Sequence, residues 1–137
     1  NGGTIMTPHL MTEVRDSQGE EIEWYDENAW LDPMSPELAG VMRANMVNVV
    51  ERGTATGLRI PGFEVGGKTG TAQIGTEPPT SHTWIMGFAG PPGQPATVAI
   101  SVVVLNQPGA SEFTGGQIAA PIARAVMQKI LAVQAGG

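Results

Sequence analysis

Hydrophobic positions along the chain change their period several times, and each change predicts an element. Over "MSPELAGVMRANMVNVVERG", Leu38, Val41, Met42, Met46, Val49 and Val50 fall on one stripe of 3.6-residue spacing, which predicts a helix. Ser35 suits its cap, Pro36 its first turn, Glu37 the positive end of its dipole, and Gly53 its stop. The methionines of that stripe are expected in the core. A second helix is expected over "QIAAPIARAVMQKILAV", with Ile118, Ile122, Ala125, Val126, Lys129, Ile130 and Val133 near one face. Pro121 requires that helix to begin near Ala119 or to kink. Between the helices the pattern becomes extended. "FEVGGKTGTAQ" alternates apolar and small residues, and "TWIMGFAG" reads as a strand. "ATVAISVVVLNQ" is apolar on both faces and is expected centrally in a sheet. Near the start, "TIMTPHLMTEV" and "EEIEWY" read as two extended runs around the turn formers Asp16, Ser17 and Gly19. The connections "TATGLRIPG", "IGTEPPTSH", "GPPGQP" and "PGASEFTGG" read as loops or turns. The order hairpin, helix, three strands, helix, with short links between the strands, predicts an α+β fold: an antiparallel sheet with packed helices.

Composition narrows what such a domain can do. The 137 residues allow one modest domain, and 41% hydrophobic against 15% charged residues is the balance of a folding chain. The net charge is -6, and the seven Lys and Arg are scattered, which argues against nucleic-acid binding. The acidic residues gather around "DSQGEEIEWYDE" and read as a solvated hairpin tip. Without Cys there is no disulfide and no thiolate zinc site, and the composition remains compatible with an oxidising cell envelope. The longest apolar run, "VAISVVVL", is too short to span a bilayer, and no signal peptide is visible. The chain opens at Asn1 without an initiator Met, which reads as the middle of a larger protein.

One stretch supports two kinds of chemistry. Gly62, Gly67, Lys68 and Thr69 fit the phosphate-loop spacing G-x-x-x-x-G-K-[ST]. Such a loop needs a strand before it and a helix starting at the Gly-Lys-Thr. Here Pro61 stands where the strand should end, and Phe63 and Val65 look like strand residues. Gly70 and Thr71 open helices poorly, and Pro78 and Pro79 close off any continuation. The residues make better sense as a strand. Alternation then puts Thr69 and Thr71 on one face, where two hydroxyls with a nearby ammonium can hold a carboxylate. Gly66, Gly67 and Gly70 let a ligand backbone approach, and an edge strand offers it free N–H groups.

At this point the sequence resembles the penicillin-binding proteins, the serine D,D-transpeptidases of peptidoglycan synthesis. The resemblance rests on "RGTATGL", "GGKTGTAQ", "HTWIMGFAG", "TVAISVVVLNQP" and "GGQIAAPIARAVM", in order across the chain. "KTGTAQ" is closer to the monofunctional class B enzymes than to class A enzymes or class A β-lactamases. The resemblance implies a β-lactamase/transpeptidase-like fold, with residues 1–137 as the C-terminal portion of a single penicillin-binding/transpeptidase domain. It implies that Lys68 faces the active site and holds a serine of the proton relay. Thr69 and Thr71 would bind the carboxylate of a D-Ala-D-Ala stem peptide or of a β-lactam antibiotic. The backbone N–H of Thr71 would be an oxyanion donor, and Gly70 would keep the strand surface open.

The family's nucleophile lies in S-x-x-K and its relay serine in S-x-N. Ser17, Ser35, Ser81, Ser101 and Ser111 have neither Lys three places on nor Asn two places on. The nucleophile is therefore expected in an N-terminal portion of the same protein, which would also contribute strands beside the last strand here. Without them that strand would expose a hydrophobic edge. His9 is expected to be structural, and His82 to border the cleft at most. Trp24, Trp30 and Trp84 are expected to pack, Trp84 supporting the site from the neighbouring strand. No cofactor and no metal set is expected. The resemblance implies an extracytoplasmic location, with a membrane anchor outside this segment. Transfer, hydrolysis by a D,D-carboxypeptidase or β-lactamase, and non-catalytic β-lactam sensing all remain open on these residues.

Overall fold

The computed structural model describes residues 1–109 and 114–136. Ser111 and the middle of the loop expected over 108–116 lie outside the described residues. The chain divides into two compact units, Asn1–Gly40 and Val41–Gly137.

The first unit is built from two short antiparallel ribbons. β2 (Glu13–Arg15) pairs with β3 (Glu21–Trp24), as the turn formers between them predict. Asp16 closes the turn: its Oδ1 accepts from the amides of Gln18 and Glu20 at 2.8 and 2.9 Å. Gly19 there has φ 89°, open to glycine without strain. β1 (Ile5–Met6) pairs with β4 (Ala29–Leu31), so the first extended run splits between two ribbons. His9 stacks on Tyr25 at 3.7 Å between ring centroids, and the Tyr25 hydroxyl donates to Thr7 O at 3.0 Å. Trp24 and Trp30, expected to pack, are exposed. These ribbons are two strands wide, so no second layer covers either aromatic within the described residues.

α1 (Pro36–Arg52) forms where the periodicity places it, with the Leu38 amide 3.3 Å from Ser35 Oγ. At its other end the amides of Gly53 and Ala55 both donate to Val49 O, each at 3.1 Å. The Arg59 guanidinium covers the next two carbonyls, Val50 O and Glu51 O. Only the C-terminal end of the stripe is covered: Val50 is buried and Val49 half-buried, whereas Leu38, Val41 and Met42 are exposed. The expectation that the stripe's methionines lie in the core is thus corrected. Met42 is exposed and Met46 half-buried.

A 3-10 turn (Thr56–Leu58) leads into β5 (Glu64–Ile74), β6 (Thr80–Gly90) and β7 (Val98–Pro108), an antiparallel sheet in that order. One face carries Val65, Ile85, Ala89, Val98 and the half-buried Ile100, Val102 and Val104, which pack with Leu58 and Val50. α2 (Ala119–Gly136) completes this core. It starts at Ala119, which places Pro121 in the first turn, where proline is tolerated.

Two expectations change here. α2 packs through Ala119, Ala120, Ala123, Met127 and Leu131, not through the bulky face that its periodicity marked, where Ile122, Val126, Ile130 and Val133 are exposed. The small face wins because the backbone of the 3-10 turn comes close. A methyl on Gly57 would stand 3.3 Å from Ala120 Cβ. β7, expected centrally, is an edge whose outer residues Val103 and Leu105 are exposed.

The candidate active-site wall

Strand β5 settles the choice posed by its Gly-Lys-Thr. Lys68 and Thr69 sit in the middle of an eleven-residue strand, with no helix after them to cradle a phosphate. The strand has two halves. Val65, Gly66 and Gly67 are buried, and from Lys68 onward the residues are half-buried or exposed. The glycines make the first half possible. A methyl on Gly66 would overlap the Phe88 ring, and one on Gly67 would overlap Leu58 Cδ1.

Register places the residues of the second half. Lys68 lies opposite Met86, Thr69 opposite Ile85, Gly70 opposite Trp84 and Thr71 opposite Thr83. Thr69 and Thr71 therefore share a face, as the alternation predicts, and Lys68 and Gly70 share the other. β5 is an edge of the sheet, so lysine and threonines meet along one open border. The Lys68 ammonium donates to Thr69 O at 2.7 Å. On the lysine face, Lys68, Gly70, Trp84, Met86 and Ser101 line a shallow cavity of about 240 Å³. Trp84 lies across Gly70, where an added methyl would stand 3.3 Å from Trp84 Cβ. It is 42% exposed, so its expected packing is partial.

The structure adds groups that the sequence reading did not single out. Thr54 Oγ1 is 2.7 Å from Thr69 Oγ1. Gly115 lies against the carbonyl oxygens of Trp84 and Gly70, and Gly116 against Thr54 O, each so closely that a side chain would overlap. The turn before α2 is thus seated on the wall's backbone. The only sequence signal for it is the Gly115–Gly116 pair, which marks close backbone approach. His82 turns to β7, where its Nδ1 accepts from the Asn106 amide at 3.1 Å. That contact sits at the register shift between Ser81 and Thr83, and Asn106 has φ 54°. His82 therefore serves a bulge at this position. Behind the wall, Arg43 joins Glu64 at 2.6 Å, donates to Gln94 O at 2.6 Å and covers the Phe88 ring at 5.2 Å.

No group of three or more His, Asp or Glu side chains is placed to hold a metal among the described residues. No helix among them is long and apolar enough to cross a membrane.

Comparison with known proteins identifies the family and the fold. The family model for the penicillin binding protein transpeptidase domain matches residues 1–128. The peptidoglycan D,D-transpeptidase PbpA of Mycobacterium tuberculosis is 35% identical over 133 residues, 96% of this chain and 26% of that protein. Among solved structures, the D,D-transpeptidase domain of a peptidoglycan glycosyltransferase from Eggerthella lenta matches with a TM-score of 0.80. It is 30% identical and covers 98% of this chain and 29% of that one. Penicillin-binding protein A of M. tuberculosis, as its imipenem acyl-enzyme complex, matches with a TM-score of 0.77. It is 34% identical and covers 96% of this chain and 28% of that one. The chain spans about a quarter of the length of these relatives. The architecture is therefore that of the β-lactamase/transpeptidase fold, and the chain belongs to the penicillin-binding protein transpeptidase domain family.

Proposed function

We propose that this chain supplies one wall of the active site of a peptidoglycan D,D-transpeptidase, an enzyme that cross-links the cell wall through a serine acyl-enzyme. The observation that carries the reading is the open half of β5. Lys68, Thr69, Gly70 and Thr71 lie along a sheet edge, with one hydroxyl face and one ammonium beside it. An extended peptide can add along such an edge, and its terminal carboxylate can accept from the Thr69 and Thr71 hydroxyls.

The ammonium of Lys68 favours the ionised state of that carboxylate and stabilises negative charge as a serine proton departs. In the reaction, a serine oxygen attacks the carbonyl between the two D-Ala residues and its proton passes to a base. The terminal D-Ala leaves with a proton on its amine, and the acyl group remains on the serine until an acceptor amine displaces it. The Thr71 amide stabilises the oxyanion of each tetrahedral intermediate, a role typically worth about 10²- to 10³-fold in rate. A β-lactam with its own carboxylate enters the same wall and acylates the same serine.

The serine, its relay partner and any membrane anchor belong to other parts of the protein. Residues 1–137 act as the C-terminal portion of a single transpeptidase domain. The bare apolar surface supports this. Val103 and Leu105 of β7 and the α2 stripe Ile122, Val126, Ile130 and Val133 are exposed, and among the described residues β7 pairs on one side only. We assign that surface to the N-terminal portion of the same protein. Peptidoglycan cross-linking places the enzyme on the extracytoplasmic face of the bacterial membrane.

The test is to label the full-length protein with a fluorescent penicillin and map the modified residue by mass spectrometry. A labelled serine outside residues 1–137 is expected. Absence of labelling, or a label on Ser17, Ser35, Ser81, Ser101 or Ser111, would sink the reading. Supplying an acceptor amine during turnover of a D-Ala-D-Ala peptide then separates transfer from hydrolysis by the product formed.

A further inference from the structure

Thr54 lies at the end of α1, outside the Lys-Thr-Gly strand, yet its hydroxyl is 2.7 Å from that of Thr69. Its backbone is held from several sides. The amides before and after it, Gly53 and Ala55, both donate to Val49 O, and Ala55 is completely buried. Its carbonyl oxygen is pressed against Gly116, and a methyl on Gly116 would also reach within 3.5 Å of Thr69 Cγ2. Thr54 is exposed and Thr69 half-buried, so the two hydroxyls meet at the surface of the wall, with the turn before α2 against the Thr54 carbonyl and the Thr69 methyl.

The direction of the hydrogen bond follows from the ligand's chemistry. An ionised carboxylate only accepts, so a Thr69 hydroxyl that binds one must spend its single proton on it. In that state Thr69 has only an oxygen to offer Thr54, and Thr54 must be the donor. We propose that Thr54 is a positioning residue of the transpeptidase site. It donates to Thr69, fixes the rotamer of that side chain, and leaves the Thr69 proton directed at the carboxylate of a stem peptide or β-lactam. A chain of two hydroxyl donors also polarises along its length, so the Thr69 proton becomes a better donor than it is alone. This inference rests on the reading of Thr69 as a carboxylate ligand.

The experiment measures acylation of the full-length protein by benzylpenicillin, resolved into an initial binding constant and an acylation rate constant. Thr54→Val keeps the shape and removes the hydroxyl. It should lower the second-order rate about three- to tenfold, the scale of one neutral hydrogen bond. Most of the loss should fall in the binding constant, because the carboxylate is gripped on binding. Thr54→Ala should lose as much. Thr54→Ser keeps the donor and should stay within about twofold of the parent. In a Thr69→Val background, Thr54→Val should add no further loss, because the group it serves is gone. Parent-like acylation by Thr54→Val overturns the proposal, as does failure of Thr54→Ser to restore the rate. An equal loss in the Thr69→Val background overturns it too, since Thr54 would then act by another route. If Thr69→Val alone acylates like the parent, the carboxylate reading of Thr69 itself falls, which is a separate and visible outcome.

Discussion

The two halves of β5 share one backbone and one neighbour, yet they do opposite work. From Val65 to Gly67 the strand is buried and carries no reactive group, and two of those three residues are glycines. From Lys68 the strand opens, and the residues to which we assign chemistry lie there. The first half fixes where the strand runs, because Leu58 and Phe88 close onto surfaces that only glycine leaves free. The second half inherits that placement and is packed only in part, with Thr69 and Gly70 half-buried. A damaged first half should therefore cost folding, whereas a damaged second half should cost chemistry and leave the fold intact.

The sharpest way to break this contrast is Lys68→Ala in the full-length protein. Penicillin acylation should fall by at least about 10²-fold, in the range found when a positioned proton-transfer group is removed. Stability should stay within about 0.5 kcal/mol, because the side chain is exposed. Near-normal labelling would remove the assigned role. Thr71→Pro comes next. It deletes one amide from an edge strand, where proline is tolerated. Stopped-flow acylation should slow by about 10²- to 10³-fold with an unchanged circular dichroism spectrum. A folded Thr71→Pro protein with parent rates would mean that the oxyanion donor lies elsewhere.

Gly67→Ala should show the reverse pattern. The added methyl meets Leu58, which is fully buried, and stands 3.0 Å from Met86 O. Overpacking of this kind costs about 1–3 kcal/mol. Denaturant unfolding should show that loss, while the protein that remains folded should still acylate. A stable Gly67→Ala protein with impaired acylation would overturn the division of the strand.

Much of this organisation was legible in the sequence. The alternation around Lys68 pointed to a strand, and Ser35 and Gly53 bounded α1 within a residue. Gly66 and Gly67, read as room for a ligand backbone, are instead covered by Phe88 and Leu58. What escaped had two physical sources. Periodicity reports every apolar stripe on a helix without saying what covers it. The bulky stripe of α2 was the stronger pattern, but the alanine face was the one that fitted a close backbone. The continuous apolar run of β7 likewise described a central strand, although within this chain it forms an edge. Contacts distant in sequence were the other source. Nothing local marks Thr54 as the partner of Thr69, because fifteen residues separate them and only the fold brings their hydroxyls together.

The smallest expected effect tests what holds the packed half at its outer end. Arg43 bonds Glu64, the first residue of β5, donates to Gln94 O, and stacks over Phe88, which itself covers Gly66. The ion pair is partly exposed, with side chains 32% and 26% accessible, so its Coulomb energy is screened. Arg43→Met keeps the aliphatic stem and removes the guanidinium. It should cost about 1 kcal/mol in denaturant unfolding, the sum of a weak ion pair and an exposed cation–π contact. Glu64→Gln should cost less, because Arg43 keeps the ring and the Gln94 carbonyl. Repeating both in 1 M salt should narrow the gap to the parent, since salt screens the charge attraction and leaves packing alone. Acylation should be unchanged in both variants. If Arg43→Met instead cost more than Gly67→Ala, the packed half would owe its place to the Arg43 tether more than to its glycines.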